Sequence, residues 1–127
     1  MDLQEQNNLI NSRPYTIAID IDGCLAKYIG WQGPDRFGEV SKFTLHLLEK
    51  RIKKHPNLKI IIHTCRVLNF NDNSINPEYV KCIETWLKQN NIPYNEIWTK
   101  LGKPFANEYW DDNALKVRFD SMIESFF

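Results

Sequence analysis

The sequence predicts an α/β fold of three layers, with helices on both faces of a central parallel sheet. Two runs of apolar residues, 15–20 and 58–63, are nearly continuous and contain little of the polar alternation that marks a half-exposed strand. Such runs are typical of strands that are buried on both faces. Each run is followed by residues with the period of an amphipathic helix, and this alternation of strand and helix favours parallel pairing.

The N-terminal half of the chain begins with the polar residues 1–13, which we expect to form a frayed lead-in. After the first strand, residues 24–40 are rich in glycine and aromatic residues, and this composition predicts a loop or small flap. Ser41 is placed to cap a helix that continues to about Lys54, because a serine hydroxyl accepts a hydrogen bond from an N–H group of the first turn.

The C-terminal half continues with the second strand and a polar loop. Asn76 is placed to cap a second helix, with Pro77 at its first position, and this helix is expected to end at Asn90. The elements predicted after it are short strands at 96–99 and 108–110, a strand at 115–119 and a helix at 120–126. The chain, residues 1–127, has the size of a single domain.

Composition excludes several classes of function. Lys and Arg number 16, as do Asp and Glu, so the net charge is zero and no overall field attracts nucleic acid or a membrane surface. No apolar run approaches the roughly 20 residues that span a bilayer, and the polar N-terminus is unlike a secretion signal, so we expect a cytoplasmic protein. The three cysteines lack C-x-x-C spacing and are expected to be packing residues: Cys24, Cys65 and Cys82.

The polar residues that could take part in catalysis or binding all follow predicted strands. The carboxyl ends of parallel strands meet at one edge of a sheet, where ligands bind. We therefore expect these side chains to share a site: Asp20 and Asp22 after the first strand, Thr64 and Arg66 after the second, Lys103 after the third, and Asp111 and Asp112 after the fourth.

These residue types suit phosphoryl chemistry. Several aspartates without a histidine or cysteine ligand favour a hard cation, most simply Mg²⁺. Lys103 and Thr64 could bind a phosphoryl group, whose transfer needs its charge neutralised and its position fixed. One aspartate can act as a nucleophile, and a second, two residues further on, can move protons as a general acid and base.

Four motifs in order over residues 15–119 resemble those of the haloacid dehalogenase (HAD) superfamily. They are an apolar strand followed by Asp20-Ile21-Asp22-Gly23, a Thr that ends an apolar strand (Thr64), a lysine (Lys103) and an acidic pair after a short strand (Asp111-Asp112). The resemblance implies a Rossmann-like hydrolase domain. It implies that Asp20 is the nucleophile and Asp22 the general acid and base, that Thr64 and Lys103 bind the phosphate, and that Mg²⁺ is held by Asp20, the backbone carbonyl of Asp22, Asp111 and, through water, Asp112.

The segment from Lys103 to Asp112 looks more specifically like small HAD members that lack a cap domain. Residues 24–40 provide only a flap, so the site is either open to a large substrate or closed by the partner subunit of a homodimer. The resemblance implies a Mg²⁺-dependent phosphatase that acts on a phosphorylated small molecule, with a sugar phosphate as the preferred candidate.

Three questions stay open at the level of sequence. Arg66 could contact the substrate, or it could pair with a nearby acid. A D-x-D motif also binds nucleotide sugars in metal-dependent glycosyltransferases, although the short chain and the position of the motif near the N-terminus disfavour that activity. The chain could also be a non-catalytic HAD-like binding module, although all four motifs are filled.

Overall fold

The computed structural model describes residues 1–113, 115–117 and 122–124, the last two segments as strands only. The elements in chain order are α1 (Leu3–Asn11), β1 (Thr16–Ile19), α2 (Lys42–Lys54), β2 (Lys59–Ile62), a short 3-10 helix (Cys65–Val67), α3 (Pro77–Gln89), β3 (Glu96–Ile97), β4 (Glu108–Trp110), β5 (Leu115–Val117) and β6 (Met122–Glu124).

Strands β1 to β4 form one parallel sheet in the order β3-β2-β1-β4. Strand β1 lies between β2 and β4, and all four of its residues are buried. Ile19 is in register with Ile62 of β2 and with Trp110 of β4. The residues that follow these three strands therefore emerge at the same level of the sheet edge. The predicted parallel α/β architecture is confirmed.

Both long helices pack on one face of this sheet. The crossovers from β1 to β2 and from β2 to β3 advance in the same direction, and parallel crossovers are right-handed, so α2 and α3 lie on the same side. Their apolar residues join those of β1 and β2 in one buried cluster, which includes Ile17, Ile19, Ile60, Ile62, Leu48, Ile83 and Leu87.

We expected helices on the opposite face of the sheet as well, but the described residues cover that face in another way. Tyr109 of β4 lies on this face, and its hydroxyl donates a hydrogen bond to the carbonyl oxygen of the fully buried Pro104. The backbone N–H of Asn107 donates to the carbonyl of Thr16 over 2.7 Å. Within the described residues, the segment between β3 and β4 thus packs there without regular secondary structure, while α1 buries none of its side chains.

The helix caps follow the sequence prediction. The Ser41 hydroxyl accepts from the N–H of Thr44 at the start of α2, and the Asn76 side chain accepts from the N–H of Glu78 at the start of α3. No helix within the described part of the chain is long and apolar enough to cross a membrane.

Two terminal predictions are wrong. Residues 3–11 form helix α1 and not a frayed lead-in, because the Asp2 carboxylate accepts a hydrogen bond of 2.8 Å from the N–H of Glu5 and caps the first turn. Residues 122–124 form strand β6 and not a helix, since they pair antiparallel with β5. The rest of the predicted closing helix, and residues 118 and 119 of the predicted strand before it, lie outside the described residues.

Candidate active site

Asp20 is fixed at the carboxyl edge of the sheet, directly after β1. Its backbone N–H donates to the carbonyl of Trp110 over 3.0 Å, which extends the pairing of β1 and β4 by one residue. Its Oδ1 accepts from the N–H of Ile21 at 2.7 Å. The Thr64 hydroxyl is close enough to the Asp20 carboxyl group to lower its pKa. The predicted nucleophile and the predicted phosphate-binding hydroxyl therefore lie near each other.

A cavity of about 380 Å³ opens beside Asp20, and Thr64 and Asp111 also line it. Its volume is within the range of small-molecule binding sites, roughly 300–1,000 Å³. The structure thus brings three of the predicted residues to one cavity, which we call the Asp20 cavity. They come from the ends of three different strands or strand-end loops, as the parallel register requires.

The Asp20 cavity also contains side chains that were not among the predicted site residues. Trp98 is half-buried and lines the cavity together with His63 and Lys100. These residues follow β2 and β3, so their position at strand ends was the signal that could have identified them. Burial, and next the charge of Lys103, lower the pKa of His63, which favours the neutral imidazole.

The charge of the cavity is unfavourable to a carboxylate. The pKa of Asp20 is raised from its ordinary 3.8 to about 6, chiefly by burial and also by the nearby carboxylates of Asp111 and Asp22, while Ile21 and Thr64 oppose the rise. A cation in this cavity would offset the repulsion and hold Asp20 in its charged form.

We expect this electrostatic cost to be visible in the stability of the metal-free protein. The Asp20 pKa is higher in the folded protein than in the unfolded chain, so the folded state binds the proton more tightly and gains stability as the pH falls through 6. The gain between pH 7 and pH 5 is about 1 kcal/mol. It is measured by urea unfolding with a chelator present. Asp20→Asn is the control, because it removes the titrating group, and an equal pH response in this variant would contradict the assignment.

Asp22 makes a two-point ion pair with Arg66. The Arg66 Nε lies 2.6 Å from one carboxylate oxygen of Asp22, and Nη2 lies 3.0 Å from the other. The same Nη2 donates to the carbonyl of Arg36 over 2.9 Å, and the Arg66 side chain is only 3% exposed. Of the two alternatives for Arg66, the structure shows pairing with an acid. Asp22 lines a neighbouring pocket and not the Asp20 cavity.

Lys103 does not line the Asp20 cavity. Its Nζ lies 3.8 Å above the centroid of the Tyr109 ring, a cation–π contact on the side of the sheet away from α2 and α3. The effect of its charge on the pKa of His63 shows that it is close to the cavity wall. A contact between Lys103 and a phosphate in the cavity therefore needs the lysine side chain to leave Tyr109 and turn.

Asp112 lies against the turn that carries Gly23. A Cβ atom at position 23 would be 2.1 Å from Oδ2 of Asp112, so the carboxylate would have to move, and the φ of +81° at Gly23 is one that favours glycine. The pKa of Asp112 is raised by burial and by its hydrogen bond with the neighbouring Asp111. The acidic pair therefore reaches the first motif from two directions, Asp111 at the cavity and Asp112 at the glycine.

No group of three or more His, Cys, Asp or Glu side chains in the described part of the chain is close enough to hold a metal ion. The Asp22 carboxylate is engaged by Arg66, which leaves Asp20 and Asp111 as the two carboxylates at the cavity. Mg²⁺ typically binds one or two carboxylates and keeps several waters. The oxygen donors that are present, two carboxylates and nearby backbone carbonyls, therefore fit this ion in number and type.

Comparisons of the chain with protein-family models, with curated proteins and with solved structures found no match in any of the three. What the fold and the site define is an α/β protein with an acidic cavity at the carboxyl edge of a parallel sheet. The functional argument depends on the residues of that cavity.

Proposed function

We propose that the protein is a Mg²⁺-dependent phosphatase that hydrolyses phosphomonoesters through an aspartyl-phosphate on Asp20. The observation that carries the proposal is the shared cavity of Asp20, Thr64 and Asp111, in which the neighbouring carboxylates raise the pKa of the buried Asp20. Ionising a buried carboxylate among like charges is unfavourable unless the site binds a cation. A cation beside an aspartate nucleophile is an arrangement suited to phosphoryl transfer.

The reaction proceeds in two displacements. In the first, a carboxylate oxygen of Asp20 attacks phosphorus, the ester bond breaks, and Asp22, which must first separate from Arg66, donates a proton to the departing oxygen. In the second, Asp22 takes a proton from water, the water oxygen attacks phosphorus, and Asp20 is regenerated as inorganic phosphate leaves. Thr64 and Lys103 would bind the phosphate oxygens, and Lys103 would turn from Tyr109 to reach them.

When bound, Mg²⁺ would supply charge neutralisation between the nucleophile and the phosphoryl group. Asp20 and Asp111 would hold it together with the backbone carbonyl of Asp22, and Asp112 would act through water. This ligand set is the one that the resemblance to the HAD superfamily implies, and it makes no use of the Asp22 carboxylate, which pairs with Arg66.

The same proposal includes membership of the HAD superfamily, as a small member without a cap domain. Its support is the order of the four motifs and the parallel order β3-β2-β1-β4, in which residues of the first, second and fourth motifs line the Asp20 cavity. Residues 24–40 act as a flap: Phe37 stacks on Trp86 of α3 with ring centroids 4.7 Å apart. A phosphorylated small molecule is the proposed substrate class, with sugar phosphates tested first, and a homodimer is the arrangement that would close the site.

Metal dependence is the direct test. Phosphatase activity is measured on a panel of phosphorylated metabolites with Mg²⁺ present, and again after exhaustive chelation. We expect chelation to abolish turnover and added Mg²⁺ to restore it, because without a cation the carboxylates of the cavity repel a phosphate dianion. Asp111→Asn should raise the Mg²⁺ concentration needed for half-maximal activity. Turnover that persists in chelator would contradict the proposal.

One observation favours a second candidate, a non-catalytic HAD-like binding module. Arg66 occupies both oxygens of Asp22, and general acid catalysis needs one of them free. Calorimetry with inorganic phosphate and Mg²⁺ distinguishes the two candidates. A binding module would bind phosphate and turn over no ester. In that case Asp20→Asn should bind phosphate as well as the unaltered protein does.

A further inference from the structure

A second pocket lies next to the Asp20 cavity and has a different character. Three aromatic side chains form its walls: Tyr28 and Trp31 from the flap, and Phe70 from the loop after the 3-10 helix. Asp22 and Arg66 also line it, together with Gly30 and Cys65. We call it the aromatic pocket. The Trp31 and Phe70 rings meet edge to face with centroids 5.1 Å apart, so the two walls hold each other in position.

The walls of the aromatic pocket are unusually exposed for large apolar residues. Tyr28 is 67% exposed, Phe70 66% and Trp31 42%. A contiguous group of exposed aromatic side chains marks a binding surface more often than it serves folding. The group also stands beside Asp22, which the proposed reaction places at the departing oxygen of the substrate. The natural occupant is therefore the part of the substrate that follows that oxygen.

The size of the pocket suits one ring. Its volume is about 140 Å³. A protein cavity of about 150 Å³ holds one benzene molecule, so a single six-membered ring is enough to fill the pocket.

The polarity of the pocket limits the occupant further. Nη1 of Arg66 is the one buried side-chain polar atom without a hydrogen-bond partner among the residues that the structure describes. The guanidinium carbon lies 4.1 Å from the centroid of Phe37 and 5.4 Å from that of Trp31, so aromatic rings already cover it. The pocket thus offers mainly aromatic faces, and the covered Nη1 atom is not open to an occupant. A sugar ring needs hydrogen-bond partners for several hydroxyl groups, whereas a flat aromatic ring needs few and stacks on such faces.

We propose that the aromatic pocket binds the leaving group of the substrate and that this leaving group is a single aromatic ring, so that the substrate is an aryl phosphate. The inference rests on the proposed phosphatase function and changes its substrate class from a sugar phosphate. The ring stacks against Trp31 and Phe70 while its ester oxygen lies at Asp22 and its phosphate enters the Asp20 cavity.

Phosphonates test the pocket without any dependence on turnover, because their carbon–phosphorus bond is not hydrolysed. Calorimetry in the presence of Mg²⁺ compares phenylphosphonate with methylphosphonate, which has the same charged group and no ring. We expect phenylphosphonate to bind about tenfold more tightly, from the apolar area that the ring buries. Trp31→Ala and Phe70→Ala should each remove most of this preference and leave methylphosphonate binding unchanged. Phe43→Ala, at a residue of α2 that is 61% exposed and outside the pocket, is the matched control and should keep the preference.

The outcomes separate this inference from the proposed function. Equal binding of the two phosphonates, or a preference that survives both pocket variants, would overturn the aromatic pocket as the leaving-group site. A glucopyranosyl phosphonate that binds more tightly than phenylphosphonate, and does so through Trp31, would overturn the aryl assignment in favour of a sugar. Hydrolysis of phenyl phosphate is measured in parallel. No hydrolysis, together with a Trp31-dependent preference for the phenyl ring, would contradict the phosphatase and support the pocket.

Discussion

Asp20→Asn is expected to abolish the turnover of every phosphate ester, whatever its leaving group, because the amide cannot attack phosphorus as the carboxylate does. The substitution keeps the shape of the side chain and its oxygen acceptor for the Ile21 N–H. It also removes a buried charge that the folded state tolerates poorly, since burial raises the pKa of Asp20 to about 6. A loss of activity in this variant would therefore not come from a loss of folding.

Asp22→Asn is the matched variant, because it removes proton transfer and keeps the nucleophile. Proton transfer contributes roughly 10²–10⁴-fold to rate, so alkyl phosphates, whose leaving oxygen needs a proton, should react slower by this factor. An aryl phosphate departs as a stable phenolate and should still phosphorylate Asp20. The intermediate should then accumulate, because no base activates the attacking water.

Intact-protein mass spectrometry after incubation with an aryl phosphate and Mg²⁺ distinguishes the two roles. We expect a phosphate adduct on Asp22→Asn and none on Asp20→Asn. Thermal unfolding of both variants provides the control for folding. An adduct on Asp20→Asn, or equal residual activities of the two variants on aryl and alkyl esters, would show that the roles are wrongly assigned.

The strands and helices that carry the site could be predicted from sequence because each has a strong local signal. The isoleucine-rich runs became β1 and β2, and Ser41 and Asn76 cap the helices that follow them. Helix α1 was missed because its segment is polar apart from Leu3, Leu9 and Ile10, and because Asp2 was not recognised as a helix cap. The cover of the second sheet face was missed because it depends on Pro104 and Tyr109, whose contact is tertiary.

The residues of the candidate site also include some whose positions could be predicted from sequence and some whose positions could not. Asp20, Thr64 and Asp111 meet at one cavity because strand ends in a parallel sheet must meet, and this could be predicted from the order of motifs. The directions of the longer side chains could not be predicted from sequence. Arg66 turns to Asp22 and Lys103 turns to Tyr109, since a long flexible side chain takes its partner from residues far away in sequence. The aromatic pocket was also beyond sequence, because Trp31 and Phe70 come from separate loops.

Arg66→Met is expected to destabilise the protein by about 2–3 kcal/mol, since breaking a buried ion pair leaves the other charge without its partner. The figure is below the roughly 3–5 kcal/mol typical of fully buried pairs, because the Asp22 side chain is 21% exposed. Methionine keeps much of the volume against Phe37 and Trp31, so the loss reflects the hydrogen bonds to Asp22 and Arg36 and not an empty space. Urea unfolding of the metal-free protein at pH 7 measures it.

The cause of this destabilisation is tested with a second substitution and a matched pair. In Arg66→Met with Asp22→Asn, the carboxylate that lost its partner is no longer charged, so the double variant should recover part of the stability, with a coupling of at least about 1 kcal/mol. Arg51→Met is the control, because Arg51 makes a similar ion pair with Glu108 over 2.9 Å, but at 32% exposure. Such a partly exposed pair contributes about 1 kcal/mol or less. If Arg66→Met lowers the free energy of unfolding no more than Arg51→Met does, the ion pair with Arg66 is not what holds Asp22 in place. The backbone turn at Gly23 must then set the position of Asp22.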